Sequence, residues 1–156
     1  MHLYARSLTA LLELSLDFAR HMIRDHGEFY PFGAALDPDL SPRMIGAYDG
    51  TEHPDRRNVH QLLEQGFEAD VAAGKYAAVA ITADVNIPPE YEPTFPDGIR
   101  VYIEAPGYCR FIYLPYRRAS PGAFARLRGR GPATEFGELI PIDIPHRFFG
   151  SAPPSA

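Results

Sequence analysis

Cysteine, lysine and tryptophan are almost or wholly missing from this chain: Cys109 is the only thiol, Lys75 the only lysine, and there is no tryptophan. A single thiol forms no disulfide within the chain and falls short of the two to four thiolates of a sulfur-rich zinc site. A reducing, cytoplasmic setting is therefore expected. Long apolar runs are missing too. No stretch reaches the roughly 18 apolar residues of a membrane-crossing helix, and Glu13 and Asp17, in and beside the leucine-rich opening Leu8 to Leu16, oppose a signal-peptide reading. Neither export nor a membrane is expected. Positive charge is in deficit, with 15 Lys and Arg against 20 Asp and Glu and a net charge of −5, which opposes non-specific attraction to phosphate backbones. A phosphate loop is absent as well, since Arg128-Gly-Arg-Gly-Pro132 has neither the glycine spacing nor a following helix.

The 156 residues, 46% apolar and 22% charged, are ordinary for one globular unit. A domain of that size buries roughly 68–70% of the surface its unfolded chain exposes and needs no staple. Residues 1–150 read as a single α+β domain and 151–156 as a frayed tail. Scarce lysine beside abundant arginine, alanine, glycine and proline is the usage of a GC-rich bacterial genome.

Leu8, Leu11, Leu12, Ala19, Met22 and Ile23 recur at helical spacing and predict a first helix over Ala5 to Arg24, with Ser7 as N-cap and Gly27 as stop. A hairpin follows, its strands in Phe29 to Asp37 and Met44 to Tyr48. A second helix begins with Pro54 at its first position and Asp55 in its first turn. It buries Val59, Leu62, Leu63, Phe67 and Val71, has Gly66 on the same side for close approach to the sheet, and ends at Gly74. Tyr76 to Val85, almost continuously apolar, predicts a central strand covered on both faces. After the connector Pro88 to Pro96, Ile99, Val101 and Ile103 alternate with Arg100, Tyr102 and Glu104 in a strand buried on one face. Pro106-Gly107 turns the chain into an antiparallel neighbour, Tyr108 to Leu114. Further strands are expected near Phe124 to Arg128 and over Phe136 to Ile144, the last at an edge because of Pro141 and Pro145. The expected fold is α+β: a mostly antiparallel sheet of about five to seven strands with two main helices packed on it.

The opening helix, the strand beginning Tyr30-Pro-Phe-Gly-Ala34, the second strand and the second helix resemble the first part of the cytidine-deaminase-like fold. That resemblance implies a His/Cys-x-Glu motif at the start of helix two and a later Pro-Cys-x-x-Cys. His53-Pro54-Asp55 comes nearest to the first motif; the second is absent. The element order is also similar to roadblock and profilin-like domains, which implies dimerisation or scaffolding. The Phe29-Tyr-Pro-Phe-Gly33 run resembles small bacterial proteins that bring no activity with them.

Four groups of residues are candidates for chemistry. Asp49, Glu52, His53, Asp55 and His60 surround the start of helix two, and such carboxylates and imidazoles can hold a divalent metal or move protons; His53, Asp55 and His60 are the candidate ligands or proton carriers. The bland reading is a solvated loop whose acids complement the helix dipole. His21, Asp25, His26 and Glu28 gather at the end of helix one, where imidazoles ordinarily cap carbonyls. Glu104 and Cys109, with Tyr102 and Tyr108, could line a catalytic pocket, but no histidine base is near Cys109 in sequence, and cross-strand pairing of Glu104 with Arg100 and Arg110 is the ordinary account. Arg126, Arg128 and Arg130 are candidates for binding a nucleic acid or acidic partner, against a charged edge that blocks aggregation.

No catalytic or cofactor-binding signature is complete, and no cofactor is expected. The leading expectation is a non-enzymatic binding or protein-interaction module, with a protein partner or second copy of the chain and no membrane or nucleic acid. A small metal-dependent or hydrolase-like enzyme using the loop before helix two, and a binder of nucleic acid or an acidic partner through the arginines from 117 to 130, are the alternatives.

Overall fold

The computed structural model describes residues 2–47, 50, 52, 54–119 and 133–150. Among them are helices α1 (His2–His26) and α2 (Arg56–Ala72) and strands β1 (Phe32–Leu36), β2 (Pro42–Ile45), β3 (Ala78–Asn86), β4 (Asp97–Ala105), β5 (Tyr108–Ala119), β6 (Ala133–Phe136) and β7 (Ile140–Asp143). The strands form one curled antiparallel sheet in the order β2-β1-β3-β4-β5-β6, with β7 also paired to β5. This is the expected α+β arrangement. No helix among the described residues is long and apolar enough to cross a membrane.

Strand alternation sends side chains to two separate cores. On one face Ala34, Leu36, Ala78, Ala80, Ile99, Val101, Ile103, Ile112 and Leu114 meet Leu11, Leu16, Ala19 and Ile23 of α1. On the other, Ala35, Val79 and Ile81 meet Val59, Leu63 and Phe67 of α2. The continuous apolar run of β3 thus reflects cover from both sides, as expected, and its alanines let α1 lie close. The helices differ in reach: among the described residues α1 lies against β1, β2, β3, β4 and β6, whereas α2 rests mainly on β1 and β3. The α2-side face of β4 and β5 is left for another cover, and that inequality creates the site described below.

Several boundaries differ from the sequence expectation. α1 begins at His2, which places Ser7 inside the helix and not at its cap; it ends at Gly27, whose φ of +79° a side chain would strain. Asp55 is the N-cap of α2, accepting from the Arg57 N–H at 2.8 Å, so Pro54 precedes the helix. Gly66 is exposed with nothing near it, and Leu62 is also exposed; both lie off the buried stripe of Val59, Leu63 and Phe67. The glycine that admits the helix is Gly33 on β1, where a Cβ would fall 2.9 Å from Phe67 Cζ. The expected strand over 136–144 is two strands. β6 pairs with Tyr116–Ala119 and β7 with Arg110–Tyr113, while the Gly137 N–H turns to the Pro115 carbonyl between them. The strand expected near 124–128 lies outside the described residues. The Pro88 to Pro96 connector is a fixed strap: it holds a 3-10 turn at Pro89–Tyr91, is closed by the Ile87 N–H on the Pro96 carbonyl at 2.8 Å, and rests Tyr91 against Tyr113.

Candidate functional site

The two-residue turn Pro106-Gly107 sets the register of β4 on β5, pairing Ala105 with Tyr108, Glu104 with Cys109, Tyr102 with Phe111 and Arg100 with Tyr113. Directly paired residues share a face. Arg100, Tyr102, Glu104, Cys109, Phe111 and Tyr113 therefore stand together on the α2 side, next to Val79 and Ile81. Arg110 and Tyr108 point to the other face. The expected cross-strand pairing of Glu104 with arginines is thus replaced: Arg110 pairs with Asp143 at 2.8 Å, and Glu104 turns inward.

Glu104 is completely buried, a position an acid holds only with full pairing. It receives the Tyr102 hydroxyl on Oε1, the N–H groups of Arg147 at 3.1 Å and Phe148 at 2.9–3.0 Å shared between both oxygens, and that of Phe149 at 2.7 Å on Oε2, with His146 Nδ1 3.1 Å from Oε2. Three successive backbone N–H groups converging on one carboxylate make an anion nest filled by the protein's own side chain. This latches residues 145–149 over the end of the β4–β5 face. Phe148 then wedges between Phe67 of α2 and Tyr102, its ring edge-on to both at 6.2 and 6.0 Å.

Cys109 lies at the margin of this latch. Its Sγ lies 3.3 Å from the Tyr102 hydroxyl and 3.4 Å from the Pro145 carbonyl, two acceptors that share its single S–H. Burial pushes the thiol up, with the Glu104 charge adding to the effect and Tyr102 opposing it. A thiol held protonated on two oxygens is a poor nucleophile. Glu104, Cys109 and His146 bring possible metal-donor atoms within 4.8 Å of one another. However, a carboxylate offers about four lone-pair sites, and those of Glu104 are already taken by three backbone N–H groups and the Tyr102 hydroxyl. The donor chemistry fits a latch better than a metal centre.

Between α2, the latch and the uncovered part of β3–β5 is a cleft of about 130 Å³ lined by His60, Glu64, Ile81, Arg100, Tyr102, Phe111, Arg147 and Phe148. One wall is aromatic and apolar. Its polar groups are unequal. Glu64 holds the Arg147 guanidinium and sits 2.5 Å from His60 Nδ1. Arg100 has no carboxylate in ion-pair distance among the described residues; its guanidinium lies 4.6 Å from the Phe111 ring centroid, it is paired across the strands with Tyr113, and its buried Nε has no partner among the described residues. Burial lowers the Arg100 pKa, with Tyr113 opposing. Burial also lowers that of His60, helped by the charges of Arg100 and Arg147. Glu64 pulls the other way but is shared with Arg147, so desolvation and the two guanidiniums prevail at His60.

The expected sites are redistributed by this geometry. His60 lines the cleft on α2, while Asp55 is spent on the helix cap and Glu52 is exposed. Asp49, His53, Arg126, Arg128 and Arg130 lie outside the described residues. His21 pairs with Asp25, and Glu28 with Arg56. Glu104 and Cys109 do converge, joined by His146, which sequence reasoning did not pick out. Arg100 and the Phe148-Phe149 pair were also missed; the pair of phenylalanines following Pro145 was a signal that residues 145–149 pack inward.

Comparison with family models, with curated proteins and with solved structures gives no match.

Proposed function

We propose that this chain is a non-enzymatic binding module that takes a small ligand into the cleft between α2 and the β3–β5 face. The observation that carries this reading is a concave, aromatic-walled site on which Arg100, His60 and the Arg147–Glu64 pair converge, the usual composition of a small-molecule pocket. An enzymatic reading has less support, because Cys109 is held protonated and the Glu104 carboxylate is engaged by the latch. A nucleic-acid reading rests on Arg126, Arg128 and Arg130, which lie outside the described residues; of the neighbouring arginines, Arg117 pairs with Glu135. A dimer built edge-to-edge on β2 is disfavoured by Pro42, which offers no N–H, and by Arg43. The free thiol is consistent with a cytoplasmic setting.

Amide chemical-shift mapping with a library of ring-sized fragments tests the proposal. Binders should shift His60, Glu64, Tyr102, Phe111 and Phe148 together. Shifts scattered over the surface, or centred on the outer edge of β2, would count against it.

A further inference from the structure

We propose that the ligand of this cleft is a single-ring aromatic monocarboxylate, its carboxylate seated on the Arg100 guanidinium and its ring held among Tyr102, Phe111 and Phe148. The inference rests on the binding-module reading above and goes on to specify the ligand's charge, size and shape.

Charge comes first. Glu64 is engaged by Arg147, and His60 is pushed towards its neutral form by burial. The cleft therefore carries one uncompensated positive charge, on Arg100. A guanidinium with no acid partner in a largely buried site is costly, and its planar fork matches a carboxylate with two parallel hydrogen bonds. One net charge selects a monoanion; a phosphate dianion would leave a second charge facing Glu64.

Size and shape follow from the walls. A cavity of about 150 Å³ holds a benzene ring, so the cleft, at about 130 Å³, has room for no more than a single ring between its walls. Tyr102 sets its ring edge-on to Phe111 at 70° and to Phe148 at 89°, while guanidiniums lie over Phe111 (Arg100) and Phe148 (Arg147), so the wall is built of π-surface in the edge-to-face arrangement that a further flat ring can join. Arg100 already lies over Phe111, so a carboxylate bound to it is carried next to that aromatic wall. An aliphatic acid would fill the volume but forgo the ring contacts.

The test is calorimetric titration of the full chain at pH 7 with benzoate, benzyl alcohol, cyclohexanecarboxylate and inorganic phosphate, with amide shifts to locate binding. Benzoate should bind at the cleft at least about ten-fold more tightly than benzyl alcohol, the gain expected of a charge-assisted hydrogen-bonded pair, and more tightly than the other two anions. Arg100→Gln should bring the benzoate to benzyl alcohol ratio close to one. Arg100→Lys keeps the charge without the fork and should lower the ratio only in part. The wild-type ratio needs no variant and decides the matter even if Arg100→Gln does not fold. Equal binding of benzyl alcohol, survival of the ratio in Arg100→Gln, or tighter binding of phosphate or cyclohexanecarboxylate overturns the proposal and leaves the binding-module reading standing. If neither aromatic compound reaches the cleft and library mapping also fails there, both readings fall.

Discussion

Glu104→Gln is the most demanding perturbation of this architecture, because it preserves volume and changes only which hydrogen bonds the position can accept. The carboxylate is fully buried and receives Tyr102, His146 and three backbone N–H groups. An amide keeps one acceptor oxygen and turns the other into a donor facing donors. At least two bonds to the carboxylate are lost, and a hydrogen bond to a charged group contributes about 1.5–3 kcal/mol, so the expected destabilisation is about 3–5 kcal/mol. Residues 145–149 can also relieve the clash by undocking into water, which caps the loss at their docking free energy and exposes Phe148. Two readings separate these outcomes. Urea unfolding reports the global change, and hydrogen exchange at the amides of Arg147, Phe148 and Phe149 reports the latch. Both should move, with exchange accelerating at least ten-fold. If Glu104→Gln unfolds within about 0.5 kcal/mol of the parent and the three amides stay protected, the latch argument is wrong.

Three further outcomes are expected. Because burial holds the folded His60 pKa below its ordinary 6.5, the unfolded chain binds the extra proton first, so its contribution is complete above that value and is lost as pH falls below it. His60→Gln should flatten this part of the stability profile, and an NMR titration placing His60 above 6.5 would refute the assignment. Cys109 should react with iodoacetamide at pH 8 at least about ten-fold more slowly than an unfolded control, since its thiol is buried and pushed up; equal rates would show the latch open in solution. Gly33→Ala places a Cβ 2.9 Å from Phe67 and should cost about 1–3 kcal/mol by overpacking. As Phe67 also bears on Phe148, exchange at the latch amides should rise with it; a neutral substitution would mean that α2 does not rest on Gly33.

What could be read in advance was whatever depends on neighbours in sequence. The helical stripe of α1, the two-sided burial of β3 and the β4–β5 hairpin are all periodicity and turn chemistry, and each was legible. The register was legible too: from the two-residue turn Pro106-Gly107, pairing Ala105 with Tyr108 brings Glu104 opposite Cys109 and sends Arg110 to the far face, a step of parity that the expectation of Arg110 beside Glu104 did not take. Alternation shows only which residues share a face and is silent about what covers it. Arg100, Tyr102 and Glu104 read as a solvated stripe against Ile99, Val101 and Ile103 because the default cover for a polar face is water. Here the cover comes from residues 145–149, more than forty positions away, and the bonds that hold it run from their backbone N–H groups, which every sequence has.

The same fact explains why the site itself escaped sequence reasoning while its members did not. His60, Glu104 and Cys109 were singled out as residue types capable of chemistry, but their roles are set by partners that carry no motif. Glu104 is occupied by a nest of amides, Cys109 by a phenol and a carbonyl, and His60 by a glutamate that also holds Arg147. Once these pairings are made, the charge left without an acid among the described residues of the cleft belongs to Arg100, the residue whose alternating position looked least informative. A binding site of this kind is defined by subtraction: each titratable group is matched with its partner, and the unmatched one indicates the sign of the missing ligand. For this cleft the remainder is a single guanidinium beside aromatic rings in a volume close to one ring, which is why a monocarboxylate on a flat ring is the first ligand to try.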